Sequence, residues 1–292
     1  MIKELVVISG KGGTGKTSVV ASFASLATEK VLVDCDVDAA DLHLILEPQI
    51  EKREDFSGGN QARIIQNECI KCGKCADVCR YDAVKFQDAK YSIDPVMCEG
   101  CGVCAYFCPA KAIDFSPQVN GEWYISETRH GKIVHAKLSI AQENSGKLVT
   151  LIRTQAKQIA EETNKSLIII DGSPGIGCPV IASITGASMV LVVTEPTLSG
   201  LHDLERVCSL AKHFNIPTMV SINKYDINNQ IANEIRTYCK NNNIELVGDI
   251  RYDPEVTKAQ IQGKSIVEYA LSPAGEDICN IWKNINAKLE QN

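Results

Sequence analysis

Cysteine thiols and a glycine-rich lysine loop are the residues of this 292-residue chain whose types and spacing can do chemistry. Two runs, Cys69-x-x-Cys72-x-x-Cys75-x-x-x-Cys79 and Cys98-x-x-Cys101-x-x-Cys104-x-x-x-Cys108-Pro109, follow the loop Gly10-Lys11-Gly12-Gly13-Thr14-Gly15-Lys16-Thr17. Short, fixed gaps let successive thiolates wrap a cuboidal [4Fe–4S] cluster, and in this pattern the fourth cysteine of each run serves the other cluster. The spacing therefore assigns Cys69, Cys72, Cys75 and Cys108 to one cluster, and Cys98, Cys101, Cys104 and Cys79 to a second. One chain is then expected to carry an electron-transfer module and a nucleotide switch.

Two other chemistries use clustered cysteines. A disulfide framework needs an oxidising compartment, whereas the start of the chain reads as a strand and a glycine loop with no signal peptide, so a reducing cytoplasm is expected. Zinc takes its ligands as separated pairs, and each run supplies too many thiols too closely. The runs form an internal repeat at an offset of 29 residues, continuing from the ligands to Ala83-Val84-Lys85-Phe86 and Ala112-Ile113-Asp114-Phe115. This segment resembles a two-cluster bacterial ferredoxin. It departs from that pattern at Arg80, which stands where Pro109 stands in the second run.

The loop Gly10–Thr17 follows an apolar run and opens a helical stretch, the context that a G-x-x-x-x-G-K-[ST] loop requires. Backbone N–H groups from Gly10, Lys11, Gly12, Gly13, Thr14 and Gly15 through Lys16, Thr17 and Ser18 can surround phosphate oxygens at a helix N-terminus. Lys16 is expected on the β- and γ-phosphates of ATP, and Thr17 on Mg²⁺. Asp36 and Asp171 each come at or just after a strand's C-terminal end, where a carboxylate faces the ligand crevice. Asp38 and Asp41 read as helix-start or surface acids.

These residues need a frame, and the chain supplies one by alternating β-branched runs with helical stretches, the form of a mostly parallel α/β sheet. Expected strands are Leu5–Ser9, Val31–Asp34, Leu167–Asp171, Met189–Thr194, Thr218–Asn223 and Glu245–Ile250. Expected helices are Lys16–Thr28, Gly146–Thr163, Ser199–Phe214, Asn228–Asn241 and Ala274–Leu289. The cysteine repeat interrupts this series, giving an N-terminal P-loop part (1–59), an inserted ferredoxin domain (60–117) and a C-terminal P-loop part (118–292). Glu122–Ala136, with His130-Gly131 at their middle, read as a hairpin returning the chain to the sheet. Thirty basic against thirty-six acidic residues give a formal charge of −6, which argues against nucleic acid as a partner. No apolar run approaches the ~20 residues needed to span a bilayer.

Lys11, just after the first glycine, carries a second resemblance. Gly-Lys-Gly-Gly-Thr-Gly-Lys-Thr is similar to the deviant Walker A loops of MinD, ParA, Mrp and the nitrogenase iron protein. Asp34-Cys35-Asp36, Asp171-Gly172-Ser173-Pro174-Gly175, Asn223-Lys224 and the stretches His135–Leu138, Glu143–Leu148 and Gly177-Cys178-Pro179 extend it over essentially the whole chain. The resemblance is to MinD-superfamily P-loop ATPases containing an inserted two-cluster ferredoxin domain. It implies an ATP-dependent homodimer in which Lys11 reaches the partner's phosphates. It also implies that Asp36 positions the attacking water, that Asp171 holds Mg²⁺ through water, and that Asn223 with Lys224 meets the adenine. Cys178 lies seven residues after Asp171, the offset of a cluster ligand in the nitrogenase iron protein, but no second bridging cysteine is evident and a packed or surface thiol is expected.

Two functions follow as expectations. One is ATP-gated electron transfer, or iron–sulfur and metal-cofactor assembly, with a redox or assembly protein as partner. The alternative is a MinD/ParA-like positioning switch whose clusters sense redox state or hold the insert together. MinD ends in a membrane-targeting helix; here Ile278, Ile281, Trp282, Ile285 and Leu289 share one face. Without a Lys/Arg-rich opposite face, that helix is expected on the sheet and not on a membrane.

Overall fold

The computed structural model describes residues 2–139 and 144–291. Glu143, part of one recurring stretch above, lies outside them. Two compact units emerge: residues 1–53, 123–137 and 145–292 form the larger, and residues 54–122 with 138–144 the smaller.

The chain starts with β1 (Lys3–Ser9), α1 (Lys16–Leu26), β2 (Lys30–Asp34), α2 (Leu42–Leu46) and β3 (Gln49–Phe56). It then makes β4 (Gly59–Ile64), α3 (Lys74–Asp77), β5 (Val84–Gln87), β6 (Lys90–Ile93), α4 (Val103–Phe107) and β7 (Ile113–Gln118). The return is β8 (Gly121–Thr128) and β9 (Gly131–Leu138), joined by a tight turn at Arg129-His130. After α5 (Ser145–Glu162) come β10 (Leu167–Pro174), α6 (Cys178–Ile184), β11 (Met189–Thr194), α7 (Leu198–His213), β12 (Thr218–Asn223), α8 (Asn229–Asn241) and β13 (Glu245–Ile250). The chain closes with α9 (Glu255–Ile261), α10 (Ile266–Tyr269) and α11 (Pro273–Gln291).

All six strands expected from the sequence form, and they join one sheet ordered β13-β12-β11-β1-β10-β2-β9-β8-β3. The pairings from β13 through to β9 are parallel. Runs such as Leu-Val-Val-Ile in β1 and Ile-Ile-Ile in β10 are buried on both faces, which is why they read as continuous apolar stretches and not as alternations. The strand Gln49–Phe56 was not expected: Gln-Ile-Glu-Lys-Arg-Glu-Asp is charged and exposed, as an edge strand is. Helix α11 buries Ile278, Ile281, Trp282, Ile285 and Leu289 in the core, with the Trp282 ring 5.0 Å from that of Phe23 of α1 and tilted 45° to it. No described helix is long and apolar enough to cross a membrane.

In the smaller unit β4 pairs antiparallel with β7, from Gly59↔Gln118 to Ile64↔Ile113, and β5 pairs with β6. The unit therefore extends beyond the expected 60–117 on both sides, because the strand pair that closes it starts and ends outside the cysteine runs. The 29-residue repeat reaches the backbone. Left-handed φ recurs at Lys71 (59°) and Gly100 (61°), at Gly73 (78°) and Gly102 (75°), and at Asp82 (50°) and Lys111 (52°).

Candidate nucleotide site and cysteine centres

β1 delivers the loop Gly10–Gly15 at the C-terminal edge of the sheet, beside β10 and β11. Gly15 adopts φ 86° as it caps α1, and a Cβ there would meet the Asn223 amide at 2.3 Å. Only glycine meets both demands. Lys16, at the first position of α1 and 6% exposed, places Nζ 2.6 Å from Asp171 Oδ1 and 3.4 Å from Asp36 Oδ2. Burial works to lower the Lys16 pKa, but Asp171 and Asp36 outweigh it and the ammonium is held above its ordinary value.

Parallel pairing sets Asp171 of β10 level with Asp34 of β2. The two strands are stitched further by Cys35 N–H donating to Asp171 O (2.7 Å) and by the Ser173 hydroxyl donating to Cys35 O (2.7 Å). Asp34 is fully buried and shapes the next turn, accepting from the N–H groups of Asp36 (3.1 Å) and Leu42 (3.3 Å). Burial, then the Asp171 charge, push its carboxyl well above the usual range; burial also raises Asp36, with Lys16 opposing. Sequence reasoning gave the roles to Asp36 and Asp171 and missed Asp34, though the doubled acid of Asp34-Cys35-Asp36 was the available signal.

Lys16 and Asp36 line a cavity of about 440 Å³ with the rest of Gly12 to Val19, Asn223, Lys224 and the loop from Ile250 to Asp253. The volume lies in the range of small-molecule sites. Asp171 Oδ2 and Thr14 Oγ1 are buried with no hydrogen-bond partner among the described residues, so each has unused capacity there. Thr17 and Ser18 line the same cavity, and Gln260 of α9 donates to Ser18 Oγ at 2.8 Å.

Lys11 and Asn223 make contacts within the chain. Lys11 Nζ pairs with Glu195 Oε1 (2.7 Å) and donates to Ser199 (3.0 Å) and Thr197 (3.2 Å). Lys224 approaches the other Glu195 oxygen at 3.7 Å. Glu195-Pro196-Thr197 has no chemical role legible in the sequence; here it holds Lys11. The Asn223 amide donates to Thr14 O (2.8 Å), bracing the loop's backbone. Cys178 is exposed at the first position of α6 while Cys35 is buried, and Cys208 and Cys239 are core thiols.

In the smaller unit, Cys69, Cys72, Cys75 and Cys108 line one cavity together with Ile64, Tyr91 and Ala112. Cys79, Cys98, Cys101 and Cys104 line another together with Ala62, Tyr81 and Ile93. Each foursome thus takes three thiols from one run and one from the other. The Ala112 N–H points at Cys108 Sγ (3.3 Å). Among the described residues no three His, Cys, Asp or Glu side chains close tightly enough to hold a single metal ion.

A mostly parallel sheet with a glycine-loop lysine set between Asp171 of β10 and Asp36 just past β2 defines a P-loop nucleotide-binding protein. Residues 5–266 match the CbiA family, the CobQ/CobB/MinD/ParA nucleotide-binding domain, and the chain belongs to that family. It is similar to an uncharacterised protein of Methanocaldococcus jannaschii, 35% identical over 239 residues that span 78% of this chain and 80% of that one. A 7Fe ferredoxin of Hydrogenibacillus schlegelii is 38% identical over 72 residues, 23% of this chain and 92% of the ferredoxin. In fold the chain is similar to the septum site-determining protein MinD of Pyrococcus horikoshii complexed with Mg-ADP, at TM-score 0.60 and 17% identity over 98% of this chain and 96% of that one.

Proposed function

We propose that this protein is a nucleotide-switched iron–sulfur protein, binding and hydrolysing ATP as a dimer to control electron transfer or the assembly of a metal cofactor on a partner. The observation that carries the reading is the gathering of eight cysteines, by fours and across the two runs, in a chain that also bears the MinD/ParA nucleotide site. Four sulfurs lining each cavity, and a backbone N–H directed at one of them, fit a thiolate-held cluster. Two bound [4Fe–4S] clusters would supply one-electron transfer at low potential.

The chain's own groups then divide the work. Lys16 neutralises the β- and γ-phosphates in place of Asp36 and Asp171, which it pairs with here. Thr17, with the free oxygen of Asp171 acting through water, would hold Mg²⁺. Asp36, 14% exposed at the pocket, orients the water that attacks the γ-phosphorus, giving ADP and phosphate. Lys11 leaves Glu195 to reach a partner's phosphates, and Asn223 with Lys224 takes the base side. A reducing cytoplasm suits such thiols. A MinD-like positioning switch is the second reading, supported by the fold likeness; the burial of the apolar face of α11 speaks against its membrane form.

The test is to reduce anaerobically purified protein with dithionite and follow electron delivery to a one-electron dye with ATP, with ADP and with neither. Faster delivery with ATP supports gating. Hydrolysis with rates identical in all three leaves the positioning switch.

A further inference from the structure

The turn between β8 and β9 carries Arg129, whose guanidinium reaches three other elements of the larger unit. Its Nε donates to Glu268 Oε1 (2.7 Å) and its Nη2 to Glu268 Oε2 (3.1 Å), a two-point pairing with α10. The same Nη2 donates to Ile45 O of α2 (2.9 Å) and to Gly263 O (2.8 Å), in the turn that follows α9. Nε carries one N–H and Nη2 two, so the three acceptors around Nη2 share its two hydrogens, and the rigid planar fork sets the direction of all four contacts, which a lysine ammonium on a flexible stem does not.

Each anchored segment adjoins one that lines the nucleotide cavity. Helix α2 follows the Asp36–Asp41 turn whose geometry Asp34 sets through Leu42. Helix α9 provides Val256, Thr257 and Gln260 to the cavity wall, and Gln260 reaches Ser18. Glu268 caps its own helix through Ser265, and Ser265 Oγ lies 2.9 Å from Ser25 of α1, the helix that starts at Lys16. His130 Nε2 faces both Glu268 Oε1 (2.9 Å) and Ser25 Oγ (3.3 Å). Because both contacts use one ring nitrogen, no nucleophile–base–acid relay exists, and the cluster is a brace. Burial would raise the Glu268 carboxyl, but Arg129 and Ser265 hold it well below its ordinary value. A second contact runs beside it: His43 of α2 stacks on His135 of β9 at 6.3 Å and 8°, and His135 on Tyr124 of β8 at 4.9 Å.

We propose that Arg129 is a positioning residue of the nucleotide site, holding α2, the turn at Gly263 and α10 where they fix the cavity wall and the P-loop helix for ATP. The inference rests on the nucleotide reading above. Arg129 touches no cavity residue's reacting atoms itself, so its loss should weaken ground-state binding and leave the hydrolytic groups in place. The expected signature is a raised KM with kcat unchanged. A wall displaced at one side should cost roughly tenfold in KM, about 1.4 kcal/mol of ground-state binding.

The experiment measures KM and kcat for ATP, binding of a fluorescent ATP analogue, and nucleotide-free melting for wild type, R129K, R129A, E268Q and R129A/E268Q. Support is a KM and a dissociation constant up about tenfold in R129A, an intermediate rise in R129K, kcat within twofold, and a double variant no worse than R129A alone, since residues acting as a pair are not additive. If R129A fails to fold, R129K and E268Q decide by the same signature. Lowered melting with unchanged KM and binding overturns the proposal, as does additive loss in the double variant. A wild type that binds no ATP fails the nucleotide reading instead, and that failure shows before any variant is made.

Discussion

Deleting the Lys16 ammonium is the sharpest test of the carboxylate cluster. In Lys16→Ala, Asp171 at 1% exposure and Asp36 at 14% lose the charge that stood 2.6 and 3.4 Å away, and fully buried Asp34 remains beside them. Removing one partner of a buried pair costs about 3–5 kcal/mol. At roughly 2–4 °C per kcal/mol for a unit of this size, melting should fall by about 6–20 °C. The pH dependence fixes the sign. Lys16 has a folded pKa above its unfolded value, so its contribution is fully present below the unfolded value and is lost only as pH rises through the folded one. Near neutrality that contribution is constant in wild type. Asp34 and Asp36 are raised in the folded state, so the penalty for ionising them grows as pH climbs above the ordinary carboxylate range. Without Lys16 both should rise further, making the deficit larger at about pH 8 than at about pH 5, where protonation relieves it. Melting of nucleotide-free protein by circular dichroism, with ATP affinity at each pH, provides the assay. Wild-type melting at the higher pH, or a deficit that grows toward acid, would refute the cluster as described.

Anaerobically purified protein should hold about eight iron and eight sulfide per chain; Cys79→Ser should damage mainly the cluster of the second run and Cys108→Ser that of the first, as resolved by electron paramagnetic resonance. A count near four, or stoichiometric zinc, sinks the two-cluster assignment. Asp36→Ala should keep ATP and accumulate dimer on sizing columns while hydrolysis stops, and Lys11→Ala should impair dimer and hydrolysis together; unchanged turnover in Lys11→Ala removes that lysine's proposed role. Glu195→Gln should let the dimer form at lower ATP concentration, because Lys11 loses its 2.7 Å ion pair, and an unchanged titration would show that the pair restrains nothing.

The chemistry-bearing residues were legible because their spacing is short and local: a glycine loop between β1 and α1 needs no distant information, and neither do two cysteine runs. The six core strands were legible because burial on both faces leaves unbroken β-branched runs. What stayed hidden depended on contacts across the sequence. Glu195 and Lys11 stand far apart in the chain and meet only because β11 lies beside β1. Arg129 reads as an ordinary hairpin-turn residue, and its four acceptors come from three segments remote from it. Edge strand β3 was missed because exposure lets charge replace the apolar pattern.

The stitching of β2 to β10 also sets where amide protons exchange with solvent. Hydrogen bonds tie the two strands up to Cys35 and Ser173; Asp36 to Asp41 then leave the sheet, whereas on the β10 side Pro174 still pairs with Ser9 and the Gly175 N–H donates to Ser9 O (2.9 Å), so that segment leaves the ladder only at Ile176. Exchange should therefore show a step and not a slope. Amides of residues 32–35 and 168–171 should open only with the whole sheet, while those a few positions later open locally. Adding ATP should move that step outward along both segments at once, since Asp36 to Asp41 and Pro174 border the one cavity proposed for the nucleotide.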